Sequence, residues 1–106
     1  MRIAVPVTHA GQIREALAQA GAGVQGNYDH CSGSWRGIGR FRPLSGARPA
    51  IGREGQIEEV EEELIETLCH EDLLEKVIAE VKKVHPYEEP AIDIIPRLEI
   101  ADMRQQ

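Results

Sequence analysis

All but one of the ten glycines of this 106-residue chain fall between Gly21 and Gly55, together with its only Trp, Trp35, and its only Phe, Phe41. Glycine takes positive φ, or lets backbone approach backbone, at no steric cost. Clustered between two ordered arms, it means that main chain sets the shape of this stretch. A second gathering of unusual residues is His85-Pro86-Tyr87-Glu88-Glu89-Pro90-Ala91. The rest reads as scaffold that holds these two stretches.

Residues 2–7 alternate, with Ile3, Val5 and Val7 on one face of a strand, and Pro6 confines that strand to an edge or to its end there. From His9 to Ala20, the apolar Ile13, Ala16, Leu17 and Ala20 fall at i, i+3, i+4 and i+7 of a helix. Thr8 is the expected N-cap and Gly21 the expected C-terminal stop. Asn27 to about Gly39 reads as a long, glycine-punctuated strand, and Arg40–Gln56, with Pro43 and Pro49, as a hairpin arm or ordered loop. Ile57–Cys69 is the returning strand, with Val60, Leu64 and Leu68 on one face, interrupted by Glu62 and Glu66. Ile65, Thr67 and Cys69 occupy its other face. Glu71 and Asp72 in a first turn, Lys82 and Lys83 in a last turn and the stripe Leu74, Val77, Ile78, Val81 predict a second helix, which Pro86 ends. Residues 91–98 are the last strand.

The order β-α-β-β-α-β predicts an α+β fold of the ferredoxin-like kind: a four-stranded antiparallel sheet, two helices on one face, and an extended central hairpin. One domain spans residues 1–98, and 99–106 form a polar tail. The other sheet face is left open, carrying Ile65, Ile95 and Trp35 or Phe41. A sheet face with large exposed apolar groups is an interface, so a homo-oligomer is expected.

Composition narrows the classes further. A hydrophobic fraction of 42% supports one modest core, and an aromatic fraction of 4% makes that core aliphatic. No apolar run approaches the ~20 residues of a membrane span, and the start lacks a signal-peptide pattern. Two cysteines are no disulfide framework, so a cytoplasmic protein with reduced thiols is expected. The net charge of −6 divides unevenly: seven Arg against two acids give +5 over residues 1–53, and five bases against sixteen acids give −11 over the rest. Arg36, Arg40, Arg42, Arg48 and Arg53 are interleaved with glycine rather than stacking aromatics. They are expected to face the chain's own acidic strand, and nucleic acid is not the expected partner.

A longer pattern emerges from Gly21-Ala22-Gly23, Gly26-Asn27-Tyr28 and Cys31-Ser32, followed by Gly37, Gly39, Phe41, Pro43, Gly46, Pro49, Gly52 and Gly55, then Glu59-Val60-Glu61 and His85–Ala91. Over residues 2–97 this resembles the inserted domain of the YqfO branch of the Nif-three-like (NGG-interacting-factor-like) family. The resemblance implies a fold like that of PII and CutA proteins, and homo-oligomers, trimers in preference to dimers. It also implies ligand clefts beneath the hairpin, between subunits. Longer members carry a dimetal body sometimes labelled a type 2 GTP cyclohydrolase. None of that body is in this sequence, so its activity is not implied.

Three groups of residues could carry chemistry. If Cys31 lies opposite Cys69, numbers across the hairpin sum to about 100, His30 nears His70, and Arg36 and Arg40 face Glu59–Glu63. Such pairs suit zinc or copper but supply two ligands each, so a third would come from Asp29, His85 or another chain. The alternative is a small buried thiol pair with two surface histidines. At the corner, Pro86 and Pro90 hold Tyr87, Glu88 and Glu89 at little entropic cost. It is either a binding corner, with His85, Glu88 and Glu89 as metal ligands, or a connection in which His85 caps a helix and Tyr87 packs. The glycine-rich arm, with Arg36, Arg40 and Arg42, could cradle a small anion, Tyr87 contributing, although no phosphate-loop fingerprint is present. The expected function is a non-enzymatic oligomeric module that binds a small ligand or metal where the arm meets the His85–Pro90 corner, of the same or a neighbouring chain. The alternative is a module that docks an acidic protein with its basic half. A metal-dependent hydrolase is third, since no nucleophile–base pair is evident.

Overall fold

Ile3 and Val5 are alternate residues of strand β1 (Arg2–Pro6), and both are fully buried. The face they define is the one on which the rest of the chain packs in a computed structural model that describes residues 1–99. From residue 100 onward the expected polar tail lies outside the described residues.

After β1 come helix α1 (Ala10–Gln19), strands β2 (Gly33–Phe41) and β3 (Glu58–Glu66), helix α2 (Leu74–Val84) and strand β4 (Ile92–Asp93). The strands form one antiparallel sheet in the order β2-β3-β1-β4. Ile13 and Leu17 of α1 and Val77 and Val81 of α2 close over Ile3, Val5 and Ile65, so the core is aliphatic throughout. This is the α+β, ferredoxin-like arrangement expected from the element order.

The helices end as their sequences dictate. Gly21, with φ 104°, lets the Ala22 amide donate to the Leu17 carbonyl and the Gly21 amide to that of Ala18. This is the double hydrogen bond of a glycine-stopped helix, and the buried Leu17 and Ala22 supply its apolar contact. Helix α2 carries Lys82 and Lys83 in its last turn, and His85 turns extended ahead of Pro86. The start of α1 differs from expectation. Residues Val7–His9 form a 3-10 turn, and the Thr8 hydroxyl bonds the His9 ring at 2.9 Å instead of capping the helix.

Strands β2, β3 and β4 are all shorter than the sequence suggested, β3 stopping at Glu66 rather than at Cys69. β2 begins at Gly33, because the chain before it curls into a Gln25–Tyr28 bridge and His30 takes a φ of 55°. β4 is confined to Ile92 and Asp93, where Asp93 meets Arg2 in an ion pair of 3.1 Å.

The largest correction concerns register. β2 pairs with β3 from Gly33 opposite Glu66 to Phe41 opposite Glu58, one residue away from the register that would set Cys31 against Cys69. A slip of one residue exchanges the two faces of a strand. Ile65, expected on the open face, instead pairs with Ile3 and is fully buried beneath the helices. Trp35 lies opposite Leu64. The open face therefore carries Trp35 and Leu64 in the sheet, with Trp35 57% and Ile95 53% exposed. The β2–β3 hairpin projects beyond the helices and gives the molecule a long axis of 52 Å against 27 and 24 Å.

This face assignment has a direct measure in urea unfolding. Ile65→Ala is expected to lower stability by about 2–5 kcal/mol, as truncation of a buried aliphatic does. Leu64→Ala, half-buried on the opposite face, is expected to cost about 1 kcal/mol or less. Equal losses would mean the faces are assigned wrongly.

Candidate functional site

Pro86 stops α2, and the corner that follows is tied down through one imidazole. His85, only 7% exposed, accepts the Tyr87 amide at Nδ1 (3.1 Å). Its Nε2–H therefore donates to the Ala4 carbonyl on β1 (2.8 Å), which fixes the tautomer. Burial pushes the pKa of His85 below its usual value, and the Ala4 bond only partly offsets this. The neutral ring is a structural peg.

Tyr87 is thereby aimed at the sheet. Its hydroxyl donates to Glu62 Oε2 at 2.8 Å, and its ring meets the edge of Phe41 at 5.5 Å between centroids. Burial and the adjacent Glu62 carboxylate both raise the Tyr87 pKa, so the phenol stays protonated and donates. A Cβ at Gly39 would meet the Glu62 carboxylate, which would have to swing aside to admit it.

Beyond Phe41 the chain forms the arm. The Gly55 amide donates to the Pro43 carbonyl at 2.7 Å and closes its neck. The Arg48 amide donates to Glu88 Oε1 at 3.0 Å, so the arm folds back onto the corner of its own chain. Between them lies a cleft of about 500 Å³ lined mainly by Phe41, Leu44, Pro49, Ile51 and Tyr87, with Glu62 in its wall. Arg40, Arg42, Glu88 and Glu89 also border it. The Arg40 guanidinium is held by Glu59 at 3.2 Å, as the acidic-strand expectation required. Arg36 lies opposite Glu63 in the ladder.

The candidate metal ligands stay apart. His30 sits between Asp29 (3.0 Å) and Glu15 (3.4 Å), and the Asp29 hydrogen bond leads in raising its pKa. His70 faces Asp72 at 3.9 Å, and both nitrogens of His85 are engaged. Cys31 Sγ approaches the Asp29 carbonyl and Cys69 Sγ the His70 carbonyl, and burial raises the Cys69 pKa toward the thiol form. Cys31 and Cys69 fall outside the ladder, which runs from Gly33 and stops at Glu66. Among the described residues no three His, Cys, Asp or Glu side chains converge to hold one ion.

Comparison with known proteins now has a geometry to meet. The chain is 51% identical over 92 residues to a GTP cyclohydrolase 1 type 2 homolog of Halalkalibacterium halodurans. It is 46% identical over 96 residues to that of Bacillus subtilis. These alignments cover 87% and 91% of this chain, but only 25% and 26% of the relatives. Among solved structures, a Bacillus cereus protein related to NIF3 superposes with a TM-score of 0.72 at 48% identity, over 85% of this chain and 22% of that one. The chain is a homologue of one segment of the NIF3-related proteins. It spans about a quarter of the length of the curated relatives it matches. The CutA protein of Archaeoglobus fulgidus, described as a periplasmic divalent cation tolerance protein, superposes with a TM-score of 0.65 over 92% of this chain and 81% of that one. At 23% identity this likeness is one of fold. No family model matches the chain. No helix among the described residues is long and apolar enough to cross a membrane.

In this NIF3-related segment, two residues of the cleft had escaped the sequence reading. Glu62 stood out only as an interruption of the Val60–Leu64–Leu68 face, and Phe41 only as a candidate for the open face. An isolated acid in an apolar row was the available signal, because such a group needs a polar partner. Arg14 was also missed. It reaches from α1 to the 8%-exposed Glu63, which the Ser34 hydroxyl also serves at 3.0 Å.

The histidines should titrate in opposite directions from 6.5, as followed by imidazole NMR. His85 is expected below that value, so its contribution to stability is present above pH 6.5 and is lost as pH falls through its folded pKa. His30 is expected above it, with a contribution present below pH 6.5 and lost as pH rises through its folded pKa. A His85 midpoint above that of His30 would contradict the hydrogen bonding described.

Proposed function

We propose that this domain is a non-enzymatic binding module that takes a small organic molecule in the cleft between its hairpin arm and the His85–Pro90 corner. The observation that carries this is the cleft itself, about 500 Å³ with mostly apolar walls and a few convergent polar groups. Ligand sites have that size and lining. The His85 peg and the Tyr87–Glu62 bond hold one wall in place before any ligand arrives, which reduces the ordering cost of binding. Arm and corner belong to the same subunit, so the site needs no neighbouring chain to exist.

The other readings draw less support. Docking of an acidic partner would fall to Arg36, Arg42, Arg48 and Arg53, since Arg2, Arg14 and Arg40 are paired with Asp93, Glu63 and Glu59. The cyclohydrolase name belongs to relatives four times as long, and the cleft is lined by rings and aliphatic groups rather than by a nucleophile and its base. Self-association has an observation in its favour: Trp35 and Ile95 are exposed on the open sheet face. A homo-oligomer, trimeric rather than dimeric, is the assembly we propose to cover them.

Two experiments bear on these readings. In a fragment screen read by amide NMR, binders should shift Phe41, Leu44, Ile51 and Tyr87. Phe41→Ala should weaken them about tenfold or more while the far-UV spectrum is unchanged. Hits that map elsewhere on the domain would refute the cleft as the site. In sedimentation, the protein should run as a discrete oligomer that Trp35→Glu dissociates. A concentration-independent monomer would end the assembly proposal.

A further inference from the structure

The charge inside the cleft points to what fills it. Glu62 is half-buried, and its hydrogen-bond partner is the neutral Tyr87 hydroxyl. Among the described residues no ion pair forms on it. Its strand neighbours differ: Glu63 has Arg14 and Glu59 has Arg40. A carboxylate withdrawn from water beside apolar walls, without a counter-charge, is a costly arrangement that a positive ligand relieves. Arg40 and Arg42 border the same space, but Arg40 is occupied by Glu59, and Glu88 and Glu89 also line it. Among the described residues the lining therefore holds three carboxylates, Glu62, Glu88 and Glu89, against one guanidinium without an ion pair, that of Arg42.

The rings sharpen the choice of cation. Phe41 and Tyr87 meet edge to face against the Glu62 wall, and aromatic rings attract ammonium and guanidinium groups. A bare metal ion would gain little from rings and aliphatic walls, and Glu62 has no two further ligands converging with it. An amine or guanidinium carried on an apolar body meets every surface present, with its charge on Glu62 and its body against Leu44, Pro49 and Ile51.

We propose that the ligand of this cleft is an organic cation, an amine or guanidinium on an aromatic or aliphatic body, with Glu62 as its counter-ion and Phe41 and Tyr87 as its ring contacts. This rests on the binding-module reading above, and it reverses the sequence expectation of a small anion. Three isosteric probes separate the two levels of inference: 2-phenylethylammonium, 2-phenylethanol and 3-phenylpropanoate, each titrated to millimolar concentration into the labelled full chain and followed at the amides of Phe41, Glu62 and Tyr87. The ammonium probe is expected to bind about tenfold more tightly than the alcohol, and the carboxylate probe more weakly than either. Glu62→Gln keeps an acceptor for the Tyr87 hydroxyl and should erase the preference for the ammonium probe over the alcohol. Equal or tighter binding of the carboxylate probe, or an ammonium preference that survives Glu62→Gln, would overturn the cation assignment and leave the cleft standing. No response at these amides to any of the three would overturn the assignment and the binding-module reading together.

Discussion

The pairing of Ile3 with Ile65 across the two inner strands is the constraint on which the rest depends. A strand's two faces alternate residue by residue, so this one pair decides the direction of every neighbour. With Ile65 inward, Glu63 is also inward and must find Arg14 and Ser34. Glu62 is then outward, beneath Tyr87 and over Gly39. The core and the cleft are therefore two consequences of a single register. Shifting it by one would bury Glu62 and Leu64 together and leave Ile65 in water.

Helices, their C-terminal stops and element order were legible because each rests on local chemistry. The spacing of Ile13, Leu17 and Ala20, the stop at Gly21 and the bar at Pro86 are statements about neighbours in sequence. The fold class followed, since the order of elements leaves few ways to bury both helices. Register was not legible to one residue, because β2 is punctuated by glycine and carries no apolar alternation to align against β3. Two expectations failed with it: the pairing of Cys31 with Cys69 across β2 and β3, and the placing of Ile65, which faces inward with Ile3 of β1, beside Trp35 on the open face.

The site was half legible for the same reason. Arm and corner were both identifiable from composition, and their meeting point was anticipated. What could not be read was the role of each polar group, because roles are assigned by contacts distant in sequence. His85 shows this well. A histidine beside Pro86 and near two glutamates reads as a ligand or as part of a structural connection, and only the fold shows that its ring bridges Ala4 and Tyr87, 81 and 2 residues away, with no free nitrogen. Arg40 reads both as an anion contact and as a partner of the acidic strand, and Glu59 claims it.

The three consecutive acids Glu61, Glu62 and Glu63 carry the remaining argument about specificity. Identical in chemistry, they differ only in what the fold sets against them. Glu61 lies exposed opposite Ile38, where water satisfies it. Glu63 is buried but answered by a guanidinium, so its charge is already balanced. Only Glu62 is both withdrawn from water and answered by a neutral group. A scaffold carboxylate gains from pairing and loses from isolation. The isolated one is also the one that Gly39 makes room for and that Tyr87, pinned by the His85 peg, is positioned to orient. A glycine, a tyrosine and a buried histidine thus set the position of one carboxylate in the wall of an apolar cleft.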